Sequence, residues 1–380
     1  MIKSTLINAA IKILVKGDIE IRSYLCPTIK SPKSHCKLCV ETCPADAIRL
    51  ADEIIDEKKC FNCGICVSVC PAGVYSSRNQ PDSKIVEEAK SAAVKKNDSI
   101  SLTFSCGMVE DENETYKLKC LGRLNENIIL WLKRMGIDEI SFNRGNCGDC
   151  TLSAGYTVFK QNLRLSRLIE DSLGNDFWKK YKELSQSNRR VGKEGGVSRR
   201  DFFRAIRGKG LLKVGELVED LSEKDKKSDI KKKGESPRRR LLKKIILPAD
   251  KAAEEIEASG GIMLPFADAL INDFCIACDV CAMLCPTAAI RKVTVGGEFK
   301  IQFYYDRCFN CGLCSEVCLT KAIELKSIFD AKRLETSSPK ILKSFIKKIC
   351  DLCGQEFGAV YENEAICYMC RKVGKSSNKM

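Results

Sequence analysis

The chain has 380 residues, room for two or three domains, with 44% hydrophobic residues and a formal net charge of +14. No window holds eighteen uninterrupted apolar residues, so no membrane-spanning helix is expected. Twenty-four cysteines, most of them in C-x2-C spacing, argue against a short secreted disulfide scaffold and for thiolates kept for metal in a reducing compartment, hence a cytoplasmic location.

From the N-terminus, "STLINAAIKILVKG" carries Lys12 and Lys16 and lacks a small-residue cleavage site, so it reads as a first helix or strand rather than a secretory signal. "SHCKLCVETCPADAI" (34–48) follows, then "CFNCGICVSVCPAGV" from Cys60. Residues 98–150 give a strand in "SISLTFSCGM", a helix in "NENIILWLKRMGI" and a strand in "DEISFN", the order of a small α/β domain. Residues 151–187 read as amphipathic helix.

Residues 188–244 hold 20 Lys/Arg against 9 Asp/Glu, a net +11, so most of the positive charge is local. "SEKDKKSDIKKKGESPRRR" is the expected exposed linker, or a docking face for an acidic partner through Arg238, Arg239 and Arg240. "SRRDFF" from Ser198 matches a twin-arginine export core in letters. It lies mid-chain with no apolar run after it, and reads instead as a helix start capped by Ser198 with Phe202 and Phe203 inward.

A second cysteine region repeats the first. "CFNCGLCSEVCLTKAI" from Cys308 matches the run from Cys60, and "CPTAAIR" at Cys285 matches "CPADAIR" at Cys43. A duplicated module is the simplest account. The tail from Cys350 carries a last cysteine set.

The second copy is complete, with Cys275, Cys278, Cys281 and Cys285 before Pro286 and Cys308, Cys311, Cys314 and Cys318 after. It resembles the bacterial ferredoxins that carry two [4Fe–4S] clusters. In that family the fourth cysteine of each motif serves the other cluster. The resemblance implies one cluster on Cys275, Cys278, Cys281 and Cys318 and another on Cys308, Cys311, Cys314 and Cys285. The spacing suits a cubane, since C-x2-C-x2-C wraps three thiolates around one corner and a distant residue reaches the fourth iron. Leu319 replaces the usual proline, which touches the turn and not the ligands.

The first copy supplies one full set, Cys60, Cys63, Cys66 and Cys43. The other set has Cys36, Cys39 and Cys70 and lacks a member, because Lys33 stands where the first cysteine belongs. Cys26 is the expected fourth ligand, and its short connection to Cys36 can loop back easily. The rival is His35, the single histidine of the chain, whose bland role is a surface or sulfur-facing donor.

Cys106, Cys120, Cys147 and Cys150 form a third constellation. Cys120, Gly122, Arg123, Gly148, Asp149 and Cys150 resemble the small iron–sulfur delta subunit of methyl-viologen-reducing hydrogenase. That resemblance implies one [2Fe–2S] cluster, with zinc as the rival. It also implies partners: a heterodisulfide-reductase-like flavoprotein, a hydrogenase or a formate dehydrogenase. Cys350, Cys353, Cys367 and Cys370 resemble a zinc ribbon, two knuckles offering four thiolates to one ion. A rubredoxin-like iron site is the alternative, but the second knuckle lacks its C-P-x-C form. These sets account for all 24 cysteines.

The expected fold is α+β. A ferredoxin-like module (1–90) precedes an α/β domain with its helix (91–187) and a basic helical linker (188–255). A second ferredoxin-like module (256–335) and a zinc-ribbon-like tail (336–380) follow. Four [4Fe–4S] clusters, a [2Fe–2S] cluster and a zinc would remove about 12 charges and leave the loaded chain near +2, which weakens a nucleic-acid reading. The expected function is relay of electrons between partner redox enzymes in an anaerobic complex, with chemistry left to the partners. The alternative is a redox-sensing protein that binds nucleic acid through the ribbon and the basic stretch.

Overall fold

The computed structural model describes residues 18–52, 54–96, 98–109, 115–174, 182–185, 234–247, 255–257 and 264–377. The N-terminal run through Lys16, the "SRRDFF" motif and most of the expected linker lie outside the described residues. Helix and sheet are mixed, as in an α+β chain.

In the first module β1 (Ile19–Ile21) pairs antiparallel with β4 (Tyr75–Ser77). Between them in sequence stand the one-turn helices α1 (Pro27–Lys30) and α2 (Leu38–Glu41), the β2 (Ile48–Arg49)–β3 (Ile54–Ile55) pair, and α3 (Ile65–Val69). Helices this short do not persist alone. They are held by a core of Leu25, Ile48, Val67, Val74 and Tyr75, joined by Phe309 from the second module.

The central domain follows α4 (Asp82–Ser91). Strand β6 (Ser99–Cys106) pairs antiparallel with β5 (Val94–Lys96) and in parallel with β7 (Tyr116–Leu118) and β8 (Glu139–Arg144). Strand β8 pairs in parallel with β9 (Lys182–Ser185). Parallel neighbours need long connections, supplied here by α5 (Glu126–Arg134) and α6 (Ala154–Ser172). Asn125 caps α5, its side chain accepting from the Ile128 N–H at 3.0 Å. Phe104 stacks on Phe142 at 5.8 Å, and Phe142 meets Phe159 edge-on at 4.9 Å.

Helix α7 (Pro237–Ile246) corrects the reading of the basic stretch at its described end, residues 234–244. Ser236 caps it and Pro237 takes its first position. Leu242, Ile245 and Ile246 fall on one face and share a core with Ile169 of α6 and Leu264 and Phe266 beyond. Arg238 and Arg239 are buried, so they cannot steer a partner as a docking face. The basic composition hid an i, i+3, i+4 apolar stripe.

The second module repeats the first in outline. Strand β10 (Ile256–Glu257) adds to one edge of β14 (Ile323–Phe329), whose other edge takes β11 (Ala267–Ile271). Helix α8 (Val280–Leu284), the β12 (Ile290–Val295)–β13 (Glu298–Phe303) hairpin and α9 (Leu313–Val317) lie between β11 and β14. After α10 (Ala331–Glu335), β15 (Lys340–Ile349) pairs with β13 and β16 (Glu356–Ala359) with β15. The module's sheet therefore runs on into the tail, across the boundary expected at 335. Helix α11 (Tyr368–Ser377) ends the described chain.

Candidate metal centres

The cysteine loops share a backbone device. In all three C-x2-C-x2-C runs the residues two and four places after the first cysteine are left-handed. They are Asn62 and Gly64, Ala277 and Asp279, and Asn310 and Gly312, with φ of 50° and 72°, 53° and 73°, and 56° and 76°. The third residue after each fourth cysteine is left-handed too: Asp46, Gly73, Ala288 and Lys321. Non-glycine residues pay about 1 kcal/mol or more for this, and such strain gathers at sites that hold something. Here it turns N–H groups onto sulfur. Ala47 donates to Cys43 Sγ at 3.4 Å, Ala289 to Cys285 at 3.2 Å and Ala322 to Cys318 at 3.2 Å. Asn62 and Asn310 donate to Cys60 and Cys308 at 3.4 and 3.5 Å.

The loop that lacks a cysteine also lacks this device. No residue from 33 to 41 has positive φ, and Lys37, at φ −131°, caps α2. Cys26 arrives instead from the turn before α1, fixed by the Thr28 hydroxyl, which donates to the Cys36 carbonyl at 2.7 Å. Cys26, Cys36, Cys39 and Cys70 line one cavity of about 290 Å³. Tyr75 Oη donates to Cys39 Sγ at 3.4 Å. Burial pushes the Cys39 thiol up to about 11, with Cys26 and Cys36 adding repulsion. His35 also borders this cavity, but its ring is 86% exposed and its Nδ1 meets Glu316 Oε1 at 3.0 Å.

Two of the remaining cysteine sets are brought together in the same way. Cys285, Cys308, Cys311 and Cys314 line one pocket, and Cys275, Cys278, Cys281 and Cys318 line another. Burial pushes the Cys66 thiol upward, and repulsion from Cys63, Cys60, Cys39 and Cys43 adds to it.

Packing orders neighbouring sets: α2 meets α3 in the first module, α8 meets α9 in the second, and Cys311 lines the Cys26 cavity. Cys39 acts on Cys66 within the first module, and Cys281 acts on Cys314 within the second. Across the module boundary burial raises Cys311, and Cys308, Cys285 and Cys36 raise it further. Phe309 and Cys311 line the Cys26 cavity itself. The spatial order is Cys43/60/63/66, Cys26/36/39/70, Cys285/308/311/314, Cys275/278/281/318.

Cys106, Cys120, Cys147 and Cys150 stand beyond the first of these. Burial lifts Cys120 to about 12, with Cys63, Cys150 and Cys106 adding repulsion. Gly145, Gly122 and Leu152 donate N–H to Cys106, Cys120 and Cys150 at 3.3, 3.4 and 3.3 Å. A Cβ on Gly155 would stand 2.4 Å from Cys120 Sγ and one on Gly122 would stand 2.7 Å from the Gly155 Cα, so both positions need glycine for close approach. Arg123 is buried with Asp82 at 2.6 Å, its carbonyl accepts from Ser68 of α3, and Lys119 Nζ donates to the Phe61 carbonyl. These contacts seat the central domain on the loop that carries Cys63.

Cys350, Cys353, Cys367 and Cys370 hold their sulfurs within 4.8 Å of one another, with Cys353 and Cys367 at 3.9 Å. A Zn–S bond of about 2.3 Å places tetrahedral sulfurs about 3.8 Å apart, so a single ion fits. The Cys367 N–H, 3.3 Å from Cys350 Sγ, holds that thiol below its ordinary value. Among the described residues no other set converges so closely. The wider sets suit clusters, where each thiolate of a cubane takes a different iron.

Sequence reasoning missed Phe309 and Tyr75 as site residues and read Arg238 and Arg239 as part of an exposed face. The two arginines were visible as letters, but nothing local told that they would be buried. Phe309 shares its motif with Phe61, so no signal separates them.

The profile of one family, the 4Fe-4S dicluster domain, matches residues 34–74 and again 274–322. No curated protein matches the chain. With the cysteine geometry, the two matches support an iron–sulfur protein of ferredoxin type. No helix among the described residues is long and apolar enough to cross a membrane.

Proposed function

We propose that the chain is an electron-transfer subunit with five iron–sulfur centres in one row and a structural zinc at its tail. Each iron–sulfur cluster, when bound, takes up and gives back one electron. The four cysteine sets named above would each hold a [4Fe–4S] cluster, with Cys26 as the fourth ligand beside Cys36, Cys39 and Cys70. Cys106, Cys120, Cys147 and Cys150 would hold a [2Fe–2S] cluster, and the Cys350 set a zinc. The residues keep neighbouring sets close, turn N–H groups onto sulfur and bury most thiols at least partly, the levers by which a protein tunes such centres.

The observation that carries this reading is the junction at Cys36 and Cys311. Two copies of a dicluster module would be separate carriers if they did not meet, and here one cavity is lined by cysteines of both. The likeness of the central segment to the hydrogenase delta subunit supports a flavoprotein of heterodisulfide-reductase type, a hydrogenase or a formate dehydrogenase as partners. The nucleic-acid reading loses support from the burial of Arg238 and Arg239.

Metal analysis of anaerobically purified protein tests the reading. About 18 irons and one zinc per chain are expected from the ligand sets. Iron near 8 would overturn it.

A further inference from the structure

Arg239 is a cation without an anion. Its side chain lies in the core between α7 and the second module, and the residue is 4% exposed. Its Nη2 donates to the Pro265 carbonyl and, at 2.8 Å, to the Cys308 carbonyl. Its guanidinium carbon lies 3.9 Å from the centre of the Phe266 ring. Its Nη1 is buried and unpartnered among the described residues. No carboxylate among the described residues forms an ion pair with it; Glu126 pairs with Arg238 and Glu235 with Lys243.

An isolated buried charge is costly, and arginine cannot escape by losing its proton. A compensating anion is therefore required nearby. We infer that Arg239 is the counter-cation of the centre held by Cys285, Cys308, Cys311 and Cys314, and that it raises that centre's reduction potential above that of its counterpart on Cys43, Cys60, Cys63 and Cys66. This rests on the reading of those cysteines as [4Fe–4S] ligands. A cubane with four thiolates carries about −2 when oxidised and one more negative charge when reduced. A fixed cation favours the more negative state, so it lifts the potential.

The first module has no unpaired equivalent: Arg123 lies buried against Gly64 of the matching loop, but its charge is matched by Asp82 at 2.6 Å. At the matching loop Lys119 Nζ meets the Phe61 carbonyl, but in an exposed contact where water screens it. Arg238, the next residue along α7, bonds the Cys70 carbonyl at 2.7 Å, yet its charge is matched by Glu126. Identical cysteine motifs are thus given different electrostatic settings, and Arg239 acts on the cluster through position and charge rather than by ligation.

The test is a potentiometric EPR titration of the full-length holoprotein. Cys308→Ser identifies which signal belongs to this centre. In Arg239→Met that signal is expected to move to lower potential, by at least a tenfold change in its oxidised-to-reduced ratio, about 59 mV for a one-electron couple. The other centres stay in place, and Arg239→Lys, which keeps the charge, shifts it less. A fully loaded Arg239→Met protein with an unmoved potential overturns the inference. If Arg239→Met does not load, Arg239→Gln is compared with Arg239→Lys: a lower potential in Gln carries the inference, and equal potentials overturn it. If Cys308→Ser costs no iron and no signal, the site holds no cluster and the functional reading itself fails.

Discussion

Phe61 and Phe309 hold the same place in identical Cys-Phe-Asn-Cys runs, yet Phe61 is 39% exposed and Phe309 only 4%. Phe309 enters the core of the other module, beside Cys26 and Cys39. Truncating it leaves a cavity, so Phe309→Ala should cost about 3–5 kcal/mol. Phe61→Ala should stay within about 0.5 kcal/mol. Anaerobic denaturant unfolding of the two variants checks this, and equal costs would deny that the modules meet at Phe309.

Cys26→Ala should remove one cubane or leave a three-iron form with a distinct EPR signal. His35→Ala should leave iron content and spectra as in the wild type, because its ring faces Glu316 and solvent. Reversed results would make His35 the ligand.

Adding a methyl at Gly155 drives it into Cys120 Sγ. Gly155→Ala should therefore lose the signal of the Cys106/120/147/150 centre while the cubane signals persist. Retention of all signals would mean that the close approach does not govern this site.

Asp82 gives a pH signature. Burial works to raise its pKa, but the Arg123 guanidinium and the Asn125 side chain outweigh burial and hold it below the ordinary carboxylate value. A depressed folded pKa contributes stability that is complete above the unfolded value, about 3.9, and is lost as pH falls through the folded one. The gap in unfolding free energy between wild type and Asp82→Asn should be constant near neutral pH and close below about pH 4. A gap that widens in acid would reverse the assignment.

Chelation or Cys353→Ser should release one zinc and leave the iron count unchanged, since the ribbon's sulfurs are separate from the cluster sets. Paired zinc and iron analysis reads this directly. Iron lost along with zinc would tie the tail to the clusters.

Much of this was legible in the sequence, and the reason is chemical. Ligand spacing is local, so "CFNC" and "CPADA" announce their loops, and the strand–helix–strand of residues 98–150 shows in its apolar pattern. What the letters did not carry was placement between distant segments. Lys33 told that a ligand was missing, and Cys26 was offered for the place only by elimination. The packed face of α7 was masked by its charges, because Arg238 and Arg239 find carbonyl and carboxylate partners more than sixty residues away or across modules. The roles of Phe61 and Phe309 diverge through tertiary contact alone.

The way the two modules meet has a consequence for assembly. The Cys308 loop of one copy sits on the Cys36 side of the other, so the contact is head-to-tail and not two-fold. Such an interface offers itself again at each free end and can in principle propagate into an open fibre. Both ends are closed in this chain. The Cys60 loop is covered by Lys119, Arg123 and the start of α6, and at the far end Gly358 of β16 packs against Ala277 in the Cys275 loop. The α/β domain and the tail thus stand over the two faces at which a further copy would add, the place that terminal repeats take in a solenoid.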